Sequence, residues 1–122
     1  MRQASVLLVD DSSAFLQVAV QFLRLLPDLQ IAGLATGGHD ALAQATALQP
    51  DLVLIDLNMD DLPGLAALPR LRKLLPHARI IALTMMEPAT HRQPALDAGA
   101  DDFVTKAQMD THLLPAIEYL LQ

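Results

Sequence analysis

Five short apolar segments, separated by stretches with helical periodicity, constrain the fold of this chain more than any other feature. The first, Val6–Val9, is a continuous aliphatic run that ends at two aspartates, which is typical of a strand buried on both faces. Strict alternation of strands and helices with short connections predicts right-handed crossovers, and so an α/β fold with a five-stranded parallel sheet and helices on both faces. The remaining predicted strands are Gln30–Ala35, Leu52–Ile55, Arg79–Leu83 and Asp102–Thr105.

The helical stretches show apolar stripes at a spacing of 3.6 residues, with recognisable starts and stops. Ser12 or Ser13 is suited to cap the first helix, whose stripe continues to Leu26 before Pro27. Because proline removes a hydrogen-bond donor, we expect kinked or late-starting helices where prolines interrupt the pattern, at Pro69, Pro94 and Pro115. The other predicted helices are His39–Leu48, Pro63 to Leu75, a short helix before Gly99, and a last helix after Asp110.

Length, charge and composition exclude several classes of function. The 122 residues suit one domain over 1–122, and a 52% apolar composition is enough to build a core. The formal net charge of −6 disfavours direct binding to nucleic acid. The chain has no cysteine, which excludes disulfides and thiolate chemistry, and its first apolar run is too short for a membrane span. These features predict a cytoplasmic domain.

Reactive side chains cluster where the predicted strands end. Asp10 and Asp11 close the first strand, Asp56 the third, Thr84 the fourth and Lys106 the fifth. Ligands of open parallel sheets bind at the carboxyl ends of the strands, so these groups are expected to converge. Clustered carboxylates form the oxygen-only environment that Mg²⁺ prefers, and a carboxylate beside Mg²⁺ and a lysine can attack phosphorus. The one close glycine pair, at positions 37 and 38, lacks the lysine and spacing of a nucleotide-binding loop.

Four motifs, in order along the whole chain, resemble the receiver domain of bacterial response regulators. They are the acidic segment 9–12 (VDDS), the segment 50–59 (PDLVLIDLNM), the pair at 83–84 (LT) and the segment 99–106 (GADDFVTK). The resemblance implies a doubly wound, flavodoxin-like sheet with strand order 2-1-3-4-5. It also implies Mg²⁺ as cofactor and phosphorylation by a sensor histidine kinase or phosphotransfer protein, and it leaves room for a homodimer on activation.

The resemblance assigns a role to each matching residue. Asp56 is the expected phosphoryl acceptor, Lys106 contacts the phosphoryl group, and Thr84 supplies the switch hydroxyl. The direct Mg²⁺ ligands are expected to be Asp11, Asp56 and the backbone carbonyl of Asn58, with Asp10 acting through water. Phe103 stands where the family has a rotating aromatic residue, and it lacks a hydroxyl.

Several positions depart from the family pattern. Asp60 replaces the usual proline after Met59, and Met85 is larger than the residue that commonly follows the switch threonine. The segment 83–85 and the non-proline residue Ala107 are similar to the branch linked to LuxR-type helix-turn-helix domains. Pro94 is expected to shorten the fourth helix, which belongs to the surface that many receivers use for output.

Two other functions remain open from the sequence. A pseudo-receiver would keep the fold and act through protein contacts without phosphorylation. A flavodoxin-like phosphatase would be a turnover enzyme, but such phosphatases carry a second aspartate two residues after the nucleophile, where this chain has Asn58. The sequence therefore favours a signalling domain that catalyses only its own phosphorylation and dephosphorylation.

Overall fold

Five strands and five α-helices alternate along the chain in the computed structural model, which describes residues 3–122. The strands are β1 Ala4–Val9, β2 Leu29–Ala35, β3 Leu52–Ile55, β4 Arg79–Thr84 and β5 Asp102–Thr105. The helices are α1 Ser13–Leu23, α2 Gly38–Leu48, α3 Gly64–Leu74, α4 Pro88–Ala98 and α5 Met109–Leu120, with a 3₁₀ turn at Lys106–Gln108.

The strands form one parallel sheet in the order β2-β1-β3-β4-β5. This order confirms the doubly wound, flavodoxin-like fold. Val9 at the end of β1 pairs with Ile55 at the end of β3, and Ile55 pairs in turn with Ala82 of β4. Thr84 pairs with Thr105 at the end of β5. The strand ends are therefore brought together along a single edge, as the sequence predicted.

The central strands of the sheet are buried on both faces, and successive residues of a strand point to opposite faces. In β1, Val6 and Leu8 belong to the core cluster that α1 and α5 line, whereas Leu7 and Val9 belong to the cluster on the other face, which α2, α3 and α4 line. All four of these side chains are at most 2% exposed. The continuous aliphatic run is thus explained by the burial of β1 on both sides.

Helix α1 confirms the predicted cap but ends earlier than its apolar stripe. The Ser12 hydroxyl accepts the backbone N–H of Phe15 at 3.2 Å. The helix ends at Leu23, and the next residues form tighter turns in which the N–H of Leu26 donates to the Leu23 carbonyl. The apolar residues after Leu23 belong to this turn, so their spacing extended the predicted helix too far.

The predictions that prolines delay helix starts and that Pro94 shortens the fourth helix are wrong, whereas the expected kinks stay a prediction. Pro69, Pro94 and Pro115 lie inside α3, α4 and α5, and α4 keeps eleven residues, Pro88–Ala98, like α1, α2 and α3. All three prolines are exposed. Water can therefore satisfy the carbonyl that each proline leaves without a helical donor, and the helix continues.

Arg72 of α3 joins the amino end of β4 to the carboxyl end of α4. Its guanidinium donates to the carbonyls of Gly99 at 2.8 Å, Ala78 at 2.6 Å and Leu75 at 3.2 Å. It also forms an ion pair with Asp101 at 2.8 Å. One partly buried side chain thus satisfies three carbonyls near the amino ends of the strands, opposite the edge where the carboxyl ends of the strands meet.

Helix α4 is held more lightly than the others. Ala95 is its one buried residue among those described, and most of the rest of α4 faces solvent. A link to β5 comes from Arg92, which donates to the Phe103 carbonyl at 3.2 Å and lies 3.5 Å from the Asp102 carboxylate. Within residues 3–122, no helix is both long and apolar enough to cross a membrane.

Candidate functional site

The acidic cluster forms where β1 and β3 end side by side. The backbone N–H of Asp56 donates to the Val9 carbonyl at 3.0 Å, which continues the β1–β3 pairing to the last residue. One carboxylate oxygen each from Asp10, Asp11 and Asp56 lies within 4.8 Å of the others. Asp10 and Asp56 are buried, at 2% and 6% exposure, whereas Asp11 is exposed. The structure thus brings together the three carboxylates predicted from the sequence.

Local turns orient the two buried carboxylates. Oδ1 of Asp10 accepts the backbone N–H of Ser12 at 2.8 Å, and Oδ1 of Asp56 accepts that of Asn58 at 3.2 Å. Each of these two hydrogen bonds closes a turn in which an aspartate carboxylate accepts the backbone N–H two residues ahead. Each aspartate uses Oδ1 for this purpose, so Oδ2 faces the space between the strands.

Lys106 occupies that space. Its ammonium lies 2.6 Å from Asp10 Oδ2 and 3.3 Å from Asp56 Oδ2. Asp10 Oδ2 is fully buried, and its ion pair with the Lys106 ammonium compensates its charge. Lys106 follows β5 directly, in the first position of the 3₁₀ turn, which explains how the last strand delivers it to the acidic cluster.

Phe15 is a neighbour of Lys106 that sequence reasoning missed as part of the site. The Lys106 ammonium lies 4.0 Å from the centroid of the Phe15 ring, a distance typical of a cation–π contact. The sequence pattern predicted Phe15 only as a member of the apolar stripe of α1. Its position in the first turn of a helix that begins beside Asp11 is the signal that could have indicated proximity to the site.

The donor set fits a divalent cation. Three carboxylates face one ammonium, so the cluster keeps an excess of negative charge, and all its ligand atoms are oxygens. The exposed Asp11 leaves one side of the cluster open to water and solutes. Asn58 is exposed and lies two residues after Asp56, in the loop that begins beside this cluster.

The two predicted switch residues lie deeper in the fold. Thr84 has no exposed surface, and its hydroxyl accepts the backbone N–H of Met86 at 3.2 Å. Phe103 is 5% exposed and packs in the core on the α2, α3 and α4 side of the sheet. Met85, next to Thr84, is 84% exposed. The structure therefore places Thr84 at the same sheet edge as Lys106 and Phe103 within the core beneath α4.

Asp61 is a second residue that sequence reasoning missed. Its carboxylate accepts the backbone N–H groups of Gly38 at 2.9 Å, His39 at 3.1 Å and Leu62 at 2.8 Å. The hydrogen bonds from Gly38 and His39 are the main cause that lowers the pKa of Asp61 below its usual value. A carboxylate from the β3–α3 loop thus caps α2, and the glycine pair at the start of α2 was the available signal.

Comparisons with known proteins agree with this geometry. The sequence profile of the response regulator receiver domain matches residues 6–118. The response regulator protein VraR of Staphylococcus aureus is 33% identical over 112 residues, which cover 92% of this chain and 54% of that protein. The chain therefore spans about half the length of the curated relatives it matches.

Solved structures show the same similarity. A LuxR-family two-component response regulator from Aurantimonas sp. superposes with a TM-score of 0.92 at 28% identity, covering 98% of this chain and 85% of that one. The response regulator domain of Thermotoga maritima CheB gives a TM-score of 0.89 at 32% identity, covering 98% and 96%.

The fold and the acidic site together define a receiver domain of two-component response regulators, and the chain belongs to that family. Members of this family generally act in signalling rather than as turnover enzymes, and they interact with histidine kinases. Among receivers, the similarity to VraR and to LuxR-family structures places this chain in the LuxR-linked branch.

Proposed function

We propose that Asp56 accepts a phosphoryl group from a sensor histidine kinase or phosphotransfer protein, and that this modification changes a protein-interaction surface. The observation that carries the proposal is the position of the Asp56 carboxylate, which is 6% exposed and lies between Asp10, Asp11 and Lys106. A buried carboxylate with an ammonium at 3.3 Å and two further carboxylates for a cation has the parts that phosphoryl transfer needs.

In the proposed reaction, a carboxylate oxygen of Asp56 forms a bond to phosphorus while the bond from phosphorus to the donor imidazole nitrogen breaks. The imidazole keeps the electron pair and takes up a proton, and Asp56 becomes an acyl phosphate. The Lys106 ammonium, now 3.3 Å from Asp56 Oδ2, is placed to pair with a phosphoryl oxygen after transfer. Asp10 holds Lys106 from the other side at 2.6 Å.

Mg²⁺ is the cofactor that this site suits best. Asp11, Asp56 and the backbone carbonyl of Asn58 are the proposed direct ligands, and Asp10 acts through water. Bound Mg²⁺ would supply positive charge to offset the phosphoryl oxygens. The excess of carboxylates over ammonium groups and the open side at Asp11 support this assignment.

The proposed switch begins at Thr84. A phosphoryl oxygen on Asp56 is a stronger acceptor than a neutral group, so it is expected to draw the Thr84 hydroxyl away from the Met86 N–H. The lightly held α4, with Ala95 as its buried residue, is the element best able to respond. Phe103 then turns toward the space that the Thr84 hydroxyl leaves. It forms no new hydrogen bond there, because its side chain has no hydroxyl.

The decisive experiment is Asp56→Asn, with Asp60→Asn as the matched control from the same loop. Both variants lose one charge, but Asp60 is exposed and lies outside the carboxylate cluster. After treatment with acetyl phosphate and Mg²⁺, intact-mass spectrometry should show one phosphoryl group on the wild type and the control, and none on Asp56→Asn. Phosphorylation retained in Asp56→Asn would place the nucleophile elsewhere, and an unmodified wild type would favour a pseudo-receiver.

The switch is tested by amide chemical shifts with and without beryllofluoride and Mg²⁺. We expect changes from His91 to Asp110 as well as at the acidic cluster. Changes confined to Asp10, Asp11 and Asp56 would contradict the switch. The proposal also includes a cytoplasmic location, a homodimer on activation, and no direct binding of nucleic acid by this segment.

A further inference from the structure

Helix α2 is capped by a residue that lies far away in the sequence. The first N–H groups of a helix have no partner within the helix, and the N-cap residue here, Gly37, has no side chain to offer. Asp61 fills this role, because its two carboxylate oxygens accept the N–H groups of Gly38 and His39. The β3–α3 loop is thereby fastened to the start of α2.

The two glycines make room for this contact. A Cβ atom on Gly37 would lie 2.8 Å from both carboxylate oxygens of Asp61, and one on Gly38 would lie 2.6 Å from the Leu62 Cβ. Gly37 has φ of −171°, an extended conformation that any residue adopts, so the need for glycine at this position is one of space. The glycine pair, which lacks the pattern of a nucleotide-binding loop, is therefore explained by the close approach of the β3–α3 loop.

The fastened loop is the one that carries Asn58. It leaves the acidic cluster where the Asn58 N–H donates to Asp56 Oδ1, and it closes where the Gly64 N–H donates to the Leu57 carbonyl at 2.9 Å. Residues 58–62 contain no proline, so no ring fixes their backbone. The bonds from Asp61 to α2 hold the middle of this loop, three residues after Asn58.

We propose that Asp61 is a positioning residue for the metal site. By tying the β3–α3 loop to the first turn of α2, its carboxylate holds the Asn58 carbonyl where it can join Asp11 and Asp56 as a ligand. This inference rests on the proposed function, because it deepens the assignment of Mg²⁺ to that cluster. Outer partners of metal ligands commonly contribute to metal affinity in this way.

The test compares Asp61→Ala with Asp60→Ala in the full 122-residue chain. Asp60 and Asp61 are both exposed and line the same shallow cavity of about 310 Å³ beside Asp11, so each variant removes one negative charge near the site. Asp61 caps α2, whereas Asp60 forms no hydrogen bond with any other residue that the structure describes. Titration with Mg²⁺ alone, followed by amide chemical shifts, gives the dissociation constant of each variant.

We expect Asp61→Ala to bind Mg²⁺ roughly tenfold more weakly than Asp60→Ala. Asp61→Asn should recover part of this loss, because the amide oxygen can still accept one N–H. At saturating Mg²⁺, the rate of phosphorylation by acetyl phosphate should return close to that of Asp60→Ala, because Asp61 touches no reacting atom. Gly37→Ala, which keeps every charge but crowds the Asp61 carboxylate, should also weaken Mg²⁺ binding.

Equal Mg²⁺ affinity of Asp61→Ala and Asp60→Ala, with both folded by circular dichroism, would overturn the inference. If Asp61→Ala does not fold, wild-type affinity in Gly37→Ala would overturn it equally. Failure of the wild type itself to bind Mg²⁺ is a different outcome, which would refute the proposed function and not only the role of Asp61.

Discussion

Replacing Lys106 with methionine should lower the stability of the fold and at the same time strengthen Mg²⁺ binding. The ammonium lies 2.6 Å from Asp10 Oδ2 and 3.3 Å from Asp56 Oδ2, and both carboxylates are buried. Methionine keeps a similar length and an apolar stem beside Phe15, but it removes the charge. The two aspartates would then face each other without a cation, which is costly for folding and favourable for a divalent ion.

The size of the effect follows from these distances. At an effective dielectric constant of about 20, Coulomb's law gives about 6 kcal/mol for the pair with Asp10 and about 5 kcal/mol for the pair with Asp56. Desolvation of the three charges offsets much of this attraction, and removal of one partner from a buried pair costs about 3–5 kcal/mol. Because the Lys106 side chain is still 14% exposed, we expect a loss of about 3 kcal/mol.

Urea unfolding in the presence of a chelator measures this loss, with Lys73→Met as the control. Lys73 is exposed on α3 and has no ion pair within the described part of the chain, so its replacement should change the free energy of unfolding by less than about 0.5 kcal/mol. A Mg²⁺ titration of Lys106→Met should show about tenfold tighter binding, or about 1.4 kcal/mol.

Saturating Mg²⁺ should accordingly restore part of the stability that Lys106→Met loses. A loss below about 1 kcal/mol together with unchanged Mg²⁺ affinity would refute the reasoning, because the ammonium could not then be held between the two carboxylates.

Three further predictions address the metal, the scaffold and pH. Asp11→Ala should erase the rise in melting temperature that Mg²⁺ gives the wild type, and an unchanged rise would rule out Asp11 as a ligand. Arg72→Met should cost about 3 kcal/mol in urea unfolding, because it removes the hydrogen bonds to three carbonyls and the ion pair with Asp101, whereas Arg70→Met at an exposed site of the same helix should cost little. The lowered pKa of Asp61 means that its contribution to stability is complete above about pH 4 and is lost as the pH falls through the folded-state pKa. The stability difference between wild type and Asp61→Asn should therefore shrink below that pH, and a constant difference would exclude ionised Asp61 as the cap.

Local patterns in the sequence were sufficient to predict the elements of the fold and the main members of the site. A continuous aliphatic run such as Val6–Val9 requires burial on both faces, so it indicates a parallel sheet without knowledge of its neighbours. The carboxyl ends of parallel strands meet at one edge, so Asp10, Asp56 and Lys106 could be grouped from their positions alone. The strand order came from family resemblance, because periodicity does not say which strands pair.

Tertiary structure decided the features that depend on packing between distant segments. The cation–π contact between Phe15 and Lys106 joins residues that are 91 positions apart, and the cap from Asp61 reaches back across 22 or 23 positions to α2. The continuity of α4 through Pro94 depends on that proline facing solvent, where water replaces the lost donor. The spacing of apolar residues indicates which side chains a helix or strand buries. The contacts of Phe15 and Asp61, in contrast, form only after the sheet has brought separate loops to the same edge.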